Sequence, residues 1–220
     1  MRGSFSVPHL AARFTLTLCL GCPLAFPAAD DTRPAPPAGA SECVKANPLP
    51  PSGKGPRGIE NFGVVAPLIY RGGQPTTEGF RELKTMGVTT VVSFRHEKGE
   101  NSIERRALGS LGMRFVSLPW SAMELPPDKE VRAFLELLRN NPNEKFFVHC
   151  QQGRDRTGTM IAVYRIAVDH WCPESAVAEM RSYHYHHFFF PRLETYVRHF
   201  PDRLAADNTL AGGVSTAVAP

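Results

Sequence analysis

Between residues 62 and 200 the apolar positions fall into two alternating kinds of block. One kind is short and rich in β-branched and aromatic side chains: residues 62–66 and 68–70 in NFGVVAPLIY, 88–94 in VTTVVSF, 113–118 in MRFVSL and 145–149 in KFFVH. Such runs read as strands, and VTTVVSF, short and β-branched, reads as a buried one. Gly72, Gly73 and Pro75 break the chain after the second. The other kind repeats at helical spacing. Thr76 or Thr77 caps a helix that runs to about Met86 and stops at Gly87. Ile103, Ala107, Leu108 and Leu111 share one face, as do Val131, Phe134, Leu135 and Leu138 in a helix that ends before Pro142. Residues 157–170 are apolar on most sides, which predicts a helix buried all round. Pro173 opens another, with Ala176, Val177 and Met180 inward, and Leu193, Tyr196, Val197 and Phe200 mark a last one.

Strands alternating with helices predict an α/β fold with a central, largely parallel sheet flanked by helices on both faces. Ligands in such sheets bind beyond the C-terminal ends of the strands. His149 ends one strand and Thr157 opens the next helix, so the stretch between them lies where a site belongs.

The two ends of the chain depart from this pattern. Arg2 and Arg13 are the only Arg, Lys, Asp or Glu residues before Asp30, and an apolar run with small residues follows Arg13. Residues 1–29 therefore read as a secretory signal, too short and too interrupted by Pro23 and Pro27 to span a membrane. Cys22 offers an alternative, a lipid anchor. The expected destination is outside the cytoplasm, in a periplasm. Residues 30–58, rich in Pro, Ala and Gly, read as a linker, 59–204 as the folded domain and 205–220 as a disordered tail.

Composition adds limits. The 220 residues are 42% hydrophobic and 21% charged, as in a soluble globular protein. A net charge of +4 suits a site that attracts anions but is too small and scattered for nucleic-acid binding. Of the five cysteines, Cys19 and Cys22 fall in the signal, and Cys43 and Cys172 can pair in an oxidising compartment. No Cys-x-x-Cys recurs outside the signal, so no structural zinc is expected.

The remaining cysteine, Cys150, opens the stretch HCQQGRDRTG at residues 149–158. A helix starting near Thr157 presents unpaired N–H groups and a partial positive charge. With Gly153 in it, the loop from Gln151, Gln152 and Gly153 to Arg154, Asp155 and Arg156 can turn its amides inward as an anion nest. Arg156 adds a two-pronged contact for phosphate oxygens. The same dipoles favour the Cys150 thiolate, a nucleophile aimed at whatever phosphoryl group the nest holds. Thr157 can hydrogen-bond the sulfur, and His149 orients the loop.

HCQQGRDRTG fits the loop His-Cys-x-x-Gly-x-x-Arg-(Ser/Thr)-Gly at every fixed position, and so resembles the cysteine-dependent protein tyrosine phosphatase superfamily. NFGVVAPLIYRGGQP, VTTVVSFR and RFVSLPW are similar to its compact dual-specificity-like branch, which includes exported bacterial members. The resemblance covers residues 60–200 approximately. It implies the cysteine phosphatase fold, with its phosphate-binding loop between a strand and a helix. It also implies a phosphocysteine on Cys150, phosphate and transition-state binding by Arg156, and no metal or cofactor. The substrate it implies is a phosphorylated protein, on tyrosine or with dual specificity; an inositol phosphate or phosphoinositide is the alternative. A phosphate-binding module without turnover is a reading of another class, and a sulfur-transfer or thiol-redox protein a third.

The proton donor is less legible. Many members keep an aspartate about thirty residues before the cysteine for general acid catalysis, and here that residue is Trp120. Three carboxylates stand in: Asp155, the first choice, because some lipid-active relatives carry aspartate there; Glu124, on the loop after Trp120; and Asp128, whose alternative role is to cap the next helix. Arg71 and Arg95 follow strands that end on the same side as Cys150, which makes them candidates for a second phosphate. The run YHYHHFFFPR contains His184, His186 and His187 without a carboxylate pair at ligand spacing, so it is expected to pack against the core and line the pocket rather than bind metal.

Overall fold

The structure, a computed structural model, describes residues 42–48, 51, 53–96, 98–207, 209 and 210, all within one unit spanning residues 41–220. The signal segment, Cys22 and most of the linker lie outside the described residues.

A five-stranded sheet has the order β1-β2-β5-β3-β4. Strand β1 (Gly63–Ala66) pairs antiparallel with β2 (Ile69–Gly72). β2 lies parallel to β5 (Phe146–His149), β5 to β3 (Thr90–Ser93), and β3 to β4 (Arg114–Ser117). The helices are α1 (Thr77–Thr85), α2 (Lys98–Ser110), α3 (Asp128–Asn140), α4 (Asp155–Ala167), α5 (Pro173–Ser182), α6 (Pro191–Arg198) and α7 (Phe200–Ala206). Both faces of the central strand are covered. Phe146 and Val148 enter the larger core with residues of α3 to α6, whereas Phe147 enters the smaller one with Phe80, Leu83 and Leu108 of α1 and α2. This period-two split is why β5 is buried at every position.

Helix α4 sits inside the larger core. Residues from Arg156 to Ile166 are buried on every side, as an all-round apolar pattern requires. α1 is capped by Thr76, whose hydroxyl accepts from the Gly79 amide at 3.2 Å. Gly87, at φ +82°, follows its end.

Several boundaries differ from the sequence reading. Gly72 belongs to β2, paired with His149. A Cβ there would lie 2.8 Å from Ile59 and 3.0 Å from the Phe147 ring, so the glycine serves packing and not a turn. The last helix is two: Pro201 sits in the first turn of α7, and Phe200 opens α7 instead of closing α6. The segment read as a linker is fastened within residues 42–48. Cys43 and Cys172 form a disulfide, and Val44 exchanges backbone hydrogen bonds with His170 and Cys172 at 2.7 and 2.8 Å. Nor does disorder begin at Ala205. α7 runs to Ala206, and Leu210 is 1% exposed, its carbonyl accepting from Arg139 Nη2 at 3.0 Å. An apolar side chain that fills a core gap fixes the chain there. No helix among the described residues is long and apolar enough to cross a membrane.

Candidate active site

The loop after β5 is anchored first at His149. This residue is fully buried, and its Nδ1 lies 3.0 Å from the Cys150 carbonyl. A carbonyl only accepts, so Nδ1 carries the hydrogen. Nε2 lies 2.7 Å from Glu104 Oε1 on α2, itself 3% exposed. His149 and Glu104 thus form a buried pair that sets the first turn of the loop.

The loop carbonyls are drawn away from its amides. Gln151 O accepts from the Gln74 amide at 2.9 Å, and Gly153 O accepts from Asn61 Nδ2 and Arg71 Nη2, both at 3.0 Å. Among the described residues the amides of Gln151 to Asp155 donate to no backbone carbonyl. They are left for a ligand, at the N-terminal end of α4. Gly153, at φ +68°, could not be another residue without displacement: a Cβ would lie 2.4 Å from the Gly72 carbonyl carbon. Cys150 is 4% exposed at the base of this loop, and Gln151 and Gln152 are on its outer side, exposed.

Arg156 is 8% exposed and its Nη1 faces three acceptors: Phe94 O at 3.2 Å, Trp120 O at 3.4 Å and His96 Nδ1 at 3.0 Å. These contacts tie the guanidinium to the segments that follow β3 and β4. Arg71 is placed differently from the sequence reading. It is fully buried beneath the loop, its guanidinium 3.7 Å from the Tyr183 ring centroid. Burial lowers its pKa, opposed by the nearby Glu179, Tyr183 and Cys150. Arg71 therefore supports the loop from behind and cannot reach a substrate without leaving the core. Arg95 is 6% exposed and donates to Gln74 Oε1 at 3.1 Å. That contact joins the segment after β3 to the segment after β2. The Thr157 hydroxyl is buried without a hydrogen-bonding partner among the described residues, so the bond to sulfur is not made here. A thiol is a weak acceptor.

The three carboxylates part company. Asp155 opens α4, and its Oδ1 accepts from the His186 amide at 2.9 Å while Oδ2 lies 3.0 Å from His186 Nδ1. His186 Nε2 lies 3.1 Å from Arg154 Nη1. Asp128 is the first residue of α3 behind Pro127, makes no side-chain cap and pairs with Arg203 of α7. Glu124 is exposed on the turn after Trp120 with no partner for its carboxylate among the described residues. Sequence reasoning missed Glu104, Asn61 and His96, and read the run that holds His186 as packing against the core and lining the pocket, without its contact to Asp155. Among the described residues no cluster of three His, Cys, Asp or Glu side chains could hold a metal.

The family model described as "DSP-PTPase phosphatase fused to NAD+ Kinase" matches residues 63–195, more than half of the chain. The chain belongs to this family. It is thereby a member of the cysteine-dependent protein tyrosine phosphatase superfamily, on its dual-specificity-like side. The chain is 35% identical over 118 residues to the dual specificity protein phosphatase TpbA of Pseudomonas aeruginosa, covering 53% of this chain and 51% of that protein. It thus spans about half the length of this relative. It is 28% identical over 125 residues to the inositol diphosphatase DSP5 of Arabidopsis thaliana, covering 54% of this chain and 59% of that protein. The crystal structure of P. aeruginosa TpbA in complex with pTyr superposes with a TM-score of 0.58 at 28% identity, covering 70% of this chain and 91% of that one.

Proposed function

We propose that this chain is a metal-independent phosphatase that hydrolyses phosphate monoesters, foremost phosphotyrosine in proteins, through a phosphocysteine. The observation that carries this reading is the loop itself. Cys150 lies at its base, five consecutive amides from Gln151 to Asp155 lack backbone partners among the described residues, and Arg156 at its end is held by the segments that follow β3 and β4.

In the first step the Cys150 thiolate attacks phosphorus and the bond from phosphorus to the ester oxygen breaks. The leaving oxygen takes a proton, and Glu124 is the group assigned to give it. Asp155 was the stronger candidate in the sequence, but both of its oxygens are engaged by the amide and Nδ1 of His186, which turn it away from a leaving group. Asp128 is likewise engaged, by Arg203 of α7. Glu124 has neither restraint and stands on the turn that follows Trp120, whose carbonyl touches Arg156. In the second step a water attacks the phosphocysteine, loses its proton to the Glu124 carboxylate and releases phosphate and the thiolate. The loop amides and Arg156 bear the charge of both transition states.

A second reading, an inositol phosphate substrate, is favoured by the polar cavity of about 370 Å³ beside the loop, lined by Asn61, Gln152, Arg154 and His184 among others. The similarity to an inositol diphosphatase agrees with it. Export is part of the proposal, and the Cys43–Cys172 disulfide supports it, because such bonds persist in oxidising compartments.

The test is phosphate release from an aryl phosphate by the full chain in chelator, beside Cys150→Ser. Release that the substitution abolishes is the expected result. Phosphate binding without release would replace the enzyme by a binding module. Faster turnover of inositol phosphates than of phosphotyrosine peptides would move the substrate to the second reading.

A further inference from the structure

An aspartate in the middle of a phosphate cradle is electrostatically misplaced. Asp155 is the first residue of α4, and a free carboxylate at that position can accept from the amides of the first helical turn. Those are among the donors a phosphate would use. A carboxylate there also repels a dianionic ligand. The chain nevertheless places Asp155 beside Arg156, with its side chain 14% exposed.

His186, from the segment joining α5 and α6, meets both residues that precede Arg156. Its amide donates to Asp155 Oδ1 at 2.9 Å, and its Nδ1 lies 3.0 Å from Oδ2 and 3.2 Å from Oδ1. Its Nε2 lies 3.1 Å from Arg154 Nη1. An arginine only donates and a carboxylate accepts, so a single arrangement satisfies both contacts. Nδ1–H donates to Asp155 and Nε2 accepts from Arg154. The ring is thus the neutral Nδ1–H tautomer, wedged between an anion and a cation of the same loop. Phe189 and Phe190 pack edge-on against it at centroid distances of 6.1 and 6.5 Å.

We propose that His186 is a positioning residue of the phosphate loop: it draws the Asp155 carboxylate aside, so that the amides of α4 stay open to phosphate, and it fixes Arg154 at the neighbouring polar cavity. The inference rests on the reading of the loop as a phosphate cradle. It assigns His186 a role in affinity for the phosphoryl group and none in proton transfer. It also explains how the cradle tolerates an acid beside its arginine.

Two readouts test it, one of which needs no turnover. Calorimetric binding of inorganic phosphate to the full chain carrying Cys150→Ser reads the cradle directly. In that chain His186→Ala is expected to weaken phosphate about tenfold, the effect of one like charge a few ångströms away at a partly exposed site. In the active chain the same substitution raises KM for an aryl phosphate by a similar factor and changes kcat less than about twofold. The amide of His186→Asn can take the place of Nδ1–H, so this variant recovers most of the affinity, whereas His186→Gln, which reaches the Nε2 position, does not. The decisive arm is coupling. With Asp155→Asn already present, His186→Ala should weaken phosphate by less than about twofold more. An equal loss in both backgrounds would overturn the proposal and make His186 a mere wall of the loop. A fall in kcat with KM unchanged would overturn it in favour of proton transfer. Hydrolysis lost while phosphate binding follows this pattern would fault the enzymatic reading and leave the inference standing. No phosphate binding in any variant would sink both.

Discussion

His149, Arg71 and Thr157 are completely buried and Cys150 is 4% exposed, whereas Met123 on the turn after Trp120 is 73% exposed and Glu124 and Leu125 beside it face solvent. The loop is fixed by Glu104 of α2 and by Asn61, Arg71 and Gln74 from the stretch around β1 and β2. Among the described residues the hydrogen bonds of the turn bearing Glu124 are local, such as that of the Glu124 amide to the Ser121 carbonyl. In the proposed mechanism the two regions serve opposite needs. An anion cradle works by having its dipoles in place before the ligand arrives, so every element that aims them is overdetermined. A proton donor must meet a leaving group, then a water, and a group in solvent can take and return a proton without leaving a buried charge behind.

The comparison breaks most sharply at Arg156. Arg156→Lys keeps the charge but loses the planar fork, and kcat/KM is expected to fall about 10³-fold with the fold intact, as circular dichroism would verify. A loss of a few-fold would mean that the loop amides bind phosphate without it. Next is Arg71, which belongs to the floor although it never meets the substrate. Arg71→Met leaves the Gly153 carbonyl short of a donor and Glu179 short of a nearby cation. It should cost about 3 kcal/mol in urea unfolding and lower kcat as well. Unchanged stability would show that the buried guanidinium supports nothing. The smallest effect is at the rim. Glu124→Gln should leave the melting temperature within about 1 °C, as exposed substitutions usually do. Its kcat should drop about 10²-fold for phenyl phosphate and much less for p-nitrophenyl phosphate, whose leaving group needs no proton. If Asp155→Asn shows that leaving-group dependence and Glu124→Gln does not, the assignment of the acid is reversed.

How much of this was readable depends on distance along the chain. The loop and its two flanking elements are contiguous, so Cys150, Arg156 and the strand–helix junction were legible from residues 145–170 alone. The alternation of β-branched runs with helical faces likewise yielded the order of strands and helices. Partners far away in sequence were not legible. Glu104 is 45 residues from His149, and nothing in the local pattern of α2 marks one glutamate among its polar residues as buried. Arg71 was misread for the same reason. An arginine at a strand end suggests the mouth of a site, and only the packing of Tyr183 against it shows that it lies beneath the floor. His186 stood in a run of aromatics whose composition pointed to packing, and its contact with Asp155 spans 31 residues.

The Cys43–Cys172 bond leaves Cys150 as the free cysteine among the described residues. Peroxide acting on that thiolate would make a sulfenic acid with no second thiol among those residues to condense with. Among the described residues an internal disulfide is thus not its shelter from further oxidation. Its recovery would depend on a small thiol arriving through the same opening that admits the substrate, and in a thiol-poor compartment each oxidised molecule would move on to the irreversible sulfinic form.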